Sequence, residues 1–585
     1  MFIDTVPNRS SPPAILLRET WRVGKKIHKR TLANLSHWPA AKIDALRRVL
    51  RGENLAAGPS TGWGLPRAES RGDPRQSLAI TASLPHGHVQ AVLGMVRRLG
   101  LDRLIGSRRS RQRDLVVAMI AARVLFPASK LDTVARWGRS TLAEELAVGD
   151  ASEDELYAAL DWLLSRQGAI EDQLARRHLG PGGSVLYDLS SSYYYGRHCP
   201  LAKFGHNRDG KKGLMIIVYG VLASAQGCPV AAQVYAGNTA DPRTVADQAG
   251  KLRDRFGLER AVLVGDRGCL TQAQIQKLRA YPGLGWIGAL RSTAIKKLVE
   301  QRVIQPSLFD QHNLAEIVSA DYPGERLVAC FNPFLADERR RKREALLAAT
   351  EKLLAKIAAA AARRKKKLLS KSEIGLRVGR AINRFKMAKH FELHIGEGTL
   401  HYQRRAEQIA REEQLDGIYV VRTSEPAERL AAPDAVRGYK QLAHVERAFR
   451  CLKGVDLMVR PIYLRTEAHV RGHIFLCLLA YYIEWHMRAA LAPLLYADDE
   501  LETLRASRDP VLPAEASASA RVKKATHQTP DGLPLQSWRS LLASLATLCR
   551  NTCRLKDDPA GPSFTVHTEP SDLQRRALEL LGCTQ

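Results

Sequence analysis

The order of apolar segments between Ser184 and Leu290 constrains this chain more than any other feature. "SVLYDL", "LMIIVYGVLA" and "CPVAAQVYAG" are short runs rich in β-branched and aromatic residues and bounded by Gly, Pro and polar signals, so three strands follow one another. The period then changes. "PRTVADQAGKLRDRF" reads as a helix, "RAVLVGD" as a strand, "TQAQIQKLRA" as a helix and "GWIGAL" as a strand. A doubly wound fold would alternate strand and helix from its first element, so this order predicts a mixed sheet with flanking helices instead.

Three strands followed by helix, strand, helix and strand is the order of a ribonuclease H-like domain. The expected class is therefore α/β, a ribonuclease H-like mixed sheet with flanking helices. Between Leu290 and Asp416 the pattern is interrupted by "RLVACFN", the Arg/Lys/Ala-rich "DERRRKREALLAATEKLLAKIAAAAARRKKKLL", "EIGLRVGRAINRF" and the short strands "FELHI" and "TLHYQ". So many periodic segments exclude a loop and predict an inserted α+β subdomain. "DGIYVVRT" then resumes as a strand.

Upstream, "MFIDTV", "AILLRETWRV" and "KKIHKRTLANLS" alternate apolar and polar residues, predicting a small antiparallel β meander. One of its faces is expected to carry Arg18, Arg22, Lys25, Lys26, Lys29 and Arg30. "HVQAVLGMVRRLG", "RQRDLVVAMIAARVLF" and "EDELYAALDWLLSR" have helical spacing. The expected units are a meander and linker (1–75), a helical DNA-binding unit (76–182), the first part of the catalytic domain (183–290), the insertion (291–415), the second part of that domain (416–498) and a C-terminal region (499–585). The last is expected to hold one amphipathic helix, "LQSWRSLLASLATLCR", and a partly disordered tail.

A chain of 585 residues carrying a net charge of +29 concentrates a polyanion at its surface, and nucleic acid is the commonest one. Membrane is the competing surface, but the longest apolar run, "IFLCLLAYYIEW", is too short to span and ends in Glu484, so it reads as a buried helix. The N-terminus lacks the basic-then-apolar order of a signal peptide, which predicts a cytoplasmic, nucleoid-associated protein with no membrane partner. The nine cysteines lie singly. Cys549 and Cys553 have no second pair or histidine couple at zinc spacing, and His198 beside Cys199 reads as a loop accident, so the cysteines are expected reduced and structural. "GHNRDGKK" imitates a phosphate-binding loop, but Lys212 stands where Ser or Thr should hold magnesium, and a strand follows where a helix should. A basic hairpin turn describes it better.

Phosphodiester chemistry needs an activated attacking oxygen and a stabilised leaving oxygen. Two divalent ions do both, and hard ions such as Mg²⁺ are held by carboxylates. Asp188 lies in the first strand and Asp266 closes the fourth, its expected neighbour. Asp188 could instead form a turn, and Asp266 could cap the following helix. Asp209, Asp241 and Asp416 are weaker candidates, in the basic turn, at a helix start and at the opposite strand end. "YKQLAHVERAFRCLKG" reads as one helix whose only acid is Glu446. At about 100° per residue, Tyr439, Leu442, Glu446, Arg450 and Lys453 share a face within roughly 80°. By itself that pattern fits an ordinary surface helix, Glu446 pairing with Arg450 one turn on.

These residues carry a family resemblance. "YDLSSSYYYG", "GHNRDGKKGLMIIVYGVL", "GNTADPRTV", "VLVGDRG" and the spacing of Tyr439, Glu446 and Lys453 make the chain resemble DDE transposases of bacterial insertion sequences, in the large insertion-sequence-four-like group marked by Y-x2-R-x3-E-x6-K. The match covers most of 184–490 and departs from the pattern at Leu442, which stands in the Arg position. The resemblance implies that Asp188, Asp266 and Glu446 are catalytic and bind two Mg²⁺ ions, for which Mn²⁺ can substitute. It implies that Tyr439 and Lys453 contact DNA phosphates. Arg450, Lys211 and Lys212 are added as DNA contacts, with Arg450, His444 or Lys440 considered in place of the missing Arg. The implied reaction is cleavage at the element's ends followed by strand transfer into target DNA. The implied partners are the terminal inverted repeats and target DNA, met by a homodimer. Two alternatives stay open: a ribonuclease H-like nuclease without strand transfer, and a non-catalytic DNA-binding derivative.

Overall fold

The computed structural model describes residues 1–7, 12–23, 26–51, 78–208, 210–211, 213–364, 368–556 and 561–583. Two compact units emerge, Met1–Thr81 with Thr552–Phe564, and Ala82–Asn551 with Thr565–Gln585. In the first, β1 (Phe2–Val6), β2 (Ala14–Val23) and β3 (Lys26–Asn34) form the antiparallel meander, and the helix Ala40–Leu50 follows. The expected single basic face does not form. Arg18 opposes Thr31 and Thr20 opposes Lys29, which sets Arg18, Arg22 and Lys29 on one side. Glu19 opposes Arg30 across the ladder, and Trp21 stacks on His28, so Arg30 falls on the other side. Side chains alternate with period two, so neighbours such as Lys29 and Arg30 cannot share a face. Lys25 lies outside the described residues.

After a fourth strand, β4 (Leu78–Pro85), comes the helical section, whose main helices are Gly87–Arg98, Arg111–Leu125 and Glu153–His178. The second and third start where local chemistry predicts. Ser110 caps the second, and Ser152 with Glu155 forms a reciprocal capping box on the third. These helices pack on the long helix Glu467–Ala490, which contains the "IFLCLLAYYIEW" run and is buried along nearly its whole length. Glu484 within it is fully buried and held by Arg488 at 2.6 Å. Among the described residues no helix is long and apolar enough to cross a membrane.

The central element is an eight-stranded mixed sheet. β5 (Ser184–Tyr193), β6 (Ile216–Ser224) and β7 (Pro229–Ala236) pair antiparallel in sequence. β8 (Ala261–Gly265) then crosses back to lie parallel to β5, and β9 (Leu284–Ala289) lies parallel to β8. The first and fourth strands are therefore neighbours, as the predicted order requires. Beyond β9 the sheet continues through β14 (Ile418–Thr423), β11 (Arg326–Phe331) and β10 (Leu314–Ile317), all antiparallel. Residues 291–415 thus supply two strands to the main sheet, while their helices Pro333–Ala362 and Lys371–Phe385 close a separate cluster around Leu347, Leu354, Ile374, Phe391 and Leu400. The strands Phe391–Gly396 (β12) and Thr399–Arg404 (β13) pair there, and Arg404 forks onto Glu344 and Glu351 at 2.8 Å.

The C-terminal stretch is more ordered than its composition predicts. Helices at Ala518–Thr526 and Asp572–Leu580 flank the expected one, seen at Trp538–Ala546. The last buries Ala577, Leu578 and the following Leu581 in the main core, an apolar gain that an average over polar residues hides.

Candidate active site

Asp188 and Asp266 are placed by strand register. Tyr187 of β5 lies opposite Gly265 of β8, so one step further sets Asp188 beside Asp266, just past the end of β8. Parallel neighbours are about 4.8 Å apart and equivalent positions face the same way, so the two carboxylates sit side by side. Neither alternative role is realised. Asp188 lies inside a ten-residue strand, not in a turn. The helix after Asp266, Gln272–Leu278, is preceded by Thr271 and receives nothing from the Asp266 side chain.

Glu446 comes from across the sheet. The segment 432–453 is not one helix but two, Ala432–Lys440 and Leu442–Lys453, interrupted at Gln441. There the Gln441 N–H is shared between the carbonyls of Arg437 and Gly438, and the ladder tightens for a turn. Gly438 is pinned at the break, because a Cβ there would lie 2.9 Å from Ile287 of β9. The second helix packs Val445, Ala448 and Phe449 inward, Phe449 meeting Tyr219 of β6 edge-on. Its outer side presents Glu446 and Arg450, both exposed, and Lys453, half-buried. Leu442 is 8% exposed, so the residue in the signature Arg position packs inward instead of sharing the outer stripe.

Asp188 feels the other two acids. Burial raises the Asp188 carboxyl to about 7, opposed by the N–H of Leu189 and by Arg208, and reinforced by Asp266 and Glu446. Tyr439, at the end of the first of the two helices, senses the same cluster. Its phenol is pushed up to about 12 by burial and by Asp266, against Arg267, with Glu446 and Asp188 adding to it. Asp188 accepts the Leu189 N–H at 2.8 Å. Among the described residues, the side chains of Asp266, Glu446, Tyr439 and Arg450 make no hydrogen bond or ion pair, so Glu446 is not half of a surface pair with Arg450. The three carboxylates do not draw within 4.8 Å of one another, the closeness of a one-ion cage. Unneutralised acids facing one another on a basic protein are costly unless a cation shares them, and all-oxygen donors suit a hard divalent ion.

A further acid, Asp241, belongs to the same neighbourhood. It opens a short turn of helix in "GNTADP" and is ion-paired with Arg208. A Cβ on Gly268 would meet Asp266 Oδ2 at 3.3 Å and Asp241 Oδ2 at 4.0 Å, so both carboxylates flank that glycine. The pair forms because two loops cross tightly. A Cβ on Gly205 would strike the Gly237 carbonyl at 1.9 Å, and only bare backbone permits the approach that carries Arg208 to Asp241. Reading Asp241 only as a helix start missed this; the two glycine-bearing motifs were the available signal.

The basic turn lies in the long connection from Tyr194 to Met215 between the antiparallel neighbours β5 and β6, with a bridge between Lys203 and Ile216. In it the Lys211 N–H donates to the Tyr193 phenol at 2.8 Å, and its ammonium lies 5.4 Å from that ring's centre. Lys212 and Asp209 lie outside the described residues. Of the residues considered for the missing Arg, Lys440 is tied to the carbonyl of Val511 at 2.8 Å, and His444 lies 3.6 Å from Glu502. Asp416 is bound by Arg343 in the inserted region, away from the acid cluster. No disulfide joins any of the nine cysteines.

No curated protein matches the chain. Among solved structures, the cryo-EM structure of a piggyBac transposase synaptic complex with hairpin DNA aligns at 13% identity over 76% of this chain and 88% of that one, with a TM-score of 0.30, too low for the likeness to inform the fold. Residues 197–483, just under half of the chain, match the family model described as "Transposase DDE domain"; they include Asp266 and Glu446 and begin after Asp188. That match supports a DDE transposase.

Proposed function

We propose that the chain is an insertion-sequence transposase of the Y-R-E-K group. In this reading Asp188, Asp266 and Glu446 are its catalytic carboxylates, and the protein cuts the ends of its element and joins them to target DNA as a homodimer. One observation carries this reading: Asp266 and Glu446, from separate elements, add to the cost of charging the buried Asp188, and among the described residues neither has an ion pair in a chain of net charge +29.

Asp188 and Asp266, side by side, with Glu446 facing them, would hold two Mg²⁺ ions. When bound, the ions supply activation of the attacking oxygen and neutralisation of the leaving one. Asp188 must lose its proton before it can act as a ligand. Tyr439 keeps its own proton at neutral pH and so can donate a hydrogen bond to a phosphate oxygen near the cut. Arg450, one turn beyond Glu446, offers an unengaged guanidinium for the next phosphate, and Lys211 is steadied for the same use by Tyr193. Lys453 is half-buried and already engaged, so its phosphate contact requires an exchange of partners.

The test is Mg²⁺-dependent cleavage and joining of a labelled end of the flanking element, comparing the native chain with Glu446→Gln at matched DNA occupancy. Loss of both products with binding retained is expected. Equal cutting by both proteins refutes the triad. Cut ends without joined products point to the nuclease, and salt-dependent binding without cleavage by the native chain points to the DNA-binding derivative.

A further inference from the structure

On elements other than those that carry the acid cluster, three other side chains converge. His178 ends the helix Glu153–His178, Cys228 sits in the β6–β7 turn, and His486 lies near the end of the helix Glu467–Ala490. One ring nitrogen of each histidine and the Cys228 Sγ lie within 4.8 Å of one another. Cys228 Sγ is 3.8 Å from His486 Nε2. A tetrahedral zinc with bonds of about 2.3 Å to sulfur and about 2.05 Å to nitrogen separates two such donors by about 3.6 Å. The spacing already present is close to the bound one.

The surroundings suit a metal better than a plain polar contact. Cys228 is buried and both histidines are half-buried, in an aromatic setting: the His486 ring meets Tyr482 at 4.6 Å and Trp485 at 4.8 Å, both edge to face. The Tyr482 hydroxyl lies 3.0 Å from His178 Nε2 and orients that ring. No carboxylate belongs to the group, so it is unlike the hard-oxygen acid cluster and selects a softer ion.

We propose that His178, Cys228 and His486 bind one zinc-class transition-metal ion, clamping the helical section to the β6–β7 turn. Three protein donors leave a fourth position for water. The spacings of 50 and 258 residues between ligands match no zinc motif, which is why the sequence does not announce the site.

The full chain, stripped with chelator under reducing conditions and repurified, is titrated with Co²⁺ and, separately, with Zn²⁺ followed by elemental analysis. The expected result is a thiolate-to-cobalt charge-transfer band saturating at one ion per chain, and one retained zinc that displaces the cobalt. Mg²⁺ added in excess leaves the band intact, because a carboxylate site gives no thiolate band. Cys228→Ser is expected to lose the band while keeping its circular dichroism, and His486→Gln to weaken zinc at least tenfold. No band and no retained zinc in the native chain overturns the proposal, without needing any variant to fold. A band that survives in Cys228→Ser overturns it too, because another cysteine must then be the ligand. Either outcome leaves the acid-cluster reading untouched, since that rests on Mg²⁺-dependent cleavage.

Discussion

Replacing Asp188 by Asn tests the acid cluster without any DNA. The folded carboxyl titrates at about 7, raised first by burial and then by Asp266 and Glu446, against Leu189 N–H and Arg208. In the unfolded chain it titrates near about 3.9. The folded state therefore holds its proton more tightly, so the metal-free protein loses stability as pH rises from about 4, and the loss is complete above about 7. Each tenfold in proton affinity is worth about 1.4 kcal/mol, which caps the loss near about 4 kcal/mol. Asp188 is half-buried, so solvent screening leaves about 1–2 kcal/mol. Asp188→Asn removes this penalty and still accepts the Leu189 N–H. With unfolding entropy of about 2 cal/mol/K per residue, the gain for a unit of this size is about 1–2 °C in Tm at pH 8 in chelator, shrinking to about a third at pH 5. Mg²⁺ should then raise the Tm of the native chain by mass action and leave the variant behind. Differential scanning fluorimetry at the two pH values reads all three effects. A variant less stable at pH 8, a gain independent of pH, or an equal Mg²⁺ shift in both proteins would refute the reasoning.

Three further outcomes are expected. Glu171 is fully buried, accepts the Ala232 N–H at 3.1 Å and neutralises Lys251 at 3.4 Å and Arg255 at 2.9 Å. Glu171→Leu strands the largely buried Lys251, while Arg255 keeps Asp172 at 2.8 Å, and should cost about 3–5 kcal/mol in urea unfolding, whereas a cost below about 1 kcal/mol would mean the site relaxes to water. Gly268→Ala places a methyl 3.3 Å from Asp266 Oδ2 and should lower Mg²⁺-dependent cleavage by about tenfold with Tm unchanged; full activity would show that Asp266 tolerates displacement. Arg450→Ala should weaken DNA binding uniformly across sequences and reduce the salt slope by about 1, measured by fluorescence anisotropy at several salt concentrations, and an unchanged slope would remove Arg450 from the phosphate contacts.

Periodicity and order alone determined the core of this molecule. Three strands, then helix, strand, helix and strand, put β5 beside β8, and with it Asp188 beside Asp266, because side-chain alternation and right-handed crossovers leave few other arrangements. The helical spacing around Glu446 likewise marked its second helix. Local pattern could not reveal what depends on contacts between distant segments. The break at Gln441 falls where Gly438 packs against Ile287 of β9, and Leu442 turns inward on the helix that packs against β5. Extension of the sheet depends on β11 pairing with β14, a partner about a hundred residues away. The basic face of the meander failed because charge was counted along the chain while faces alternate across it. Arg208 meeting Asp241 depends on two glycines passing within van der Waals distance, and His178, Cys228 and His486 meet only after a helix end, a turn and a second helix pack together. Sequence sets the local period and the strand order, whereas convergence of side chains from separate elements is decided by the core that packs them.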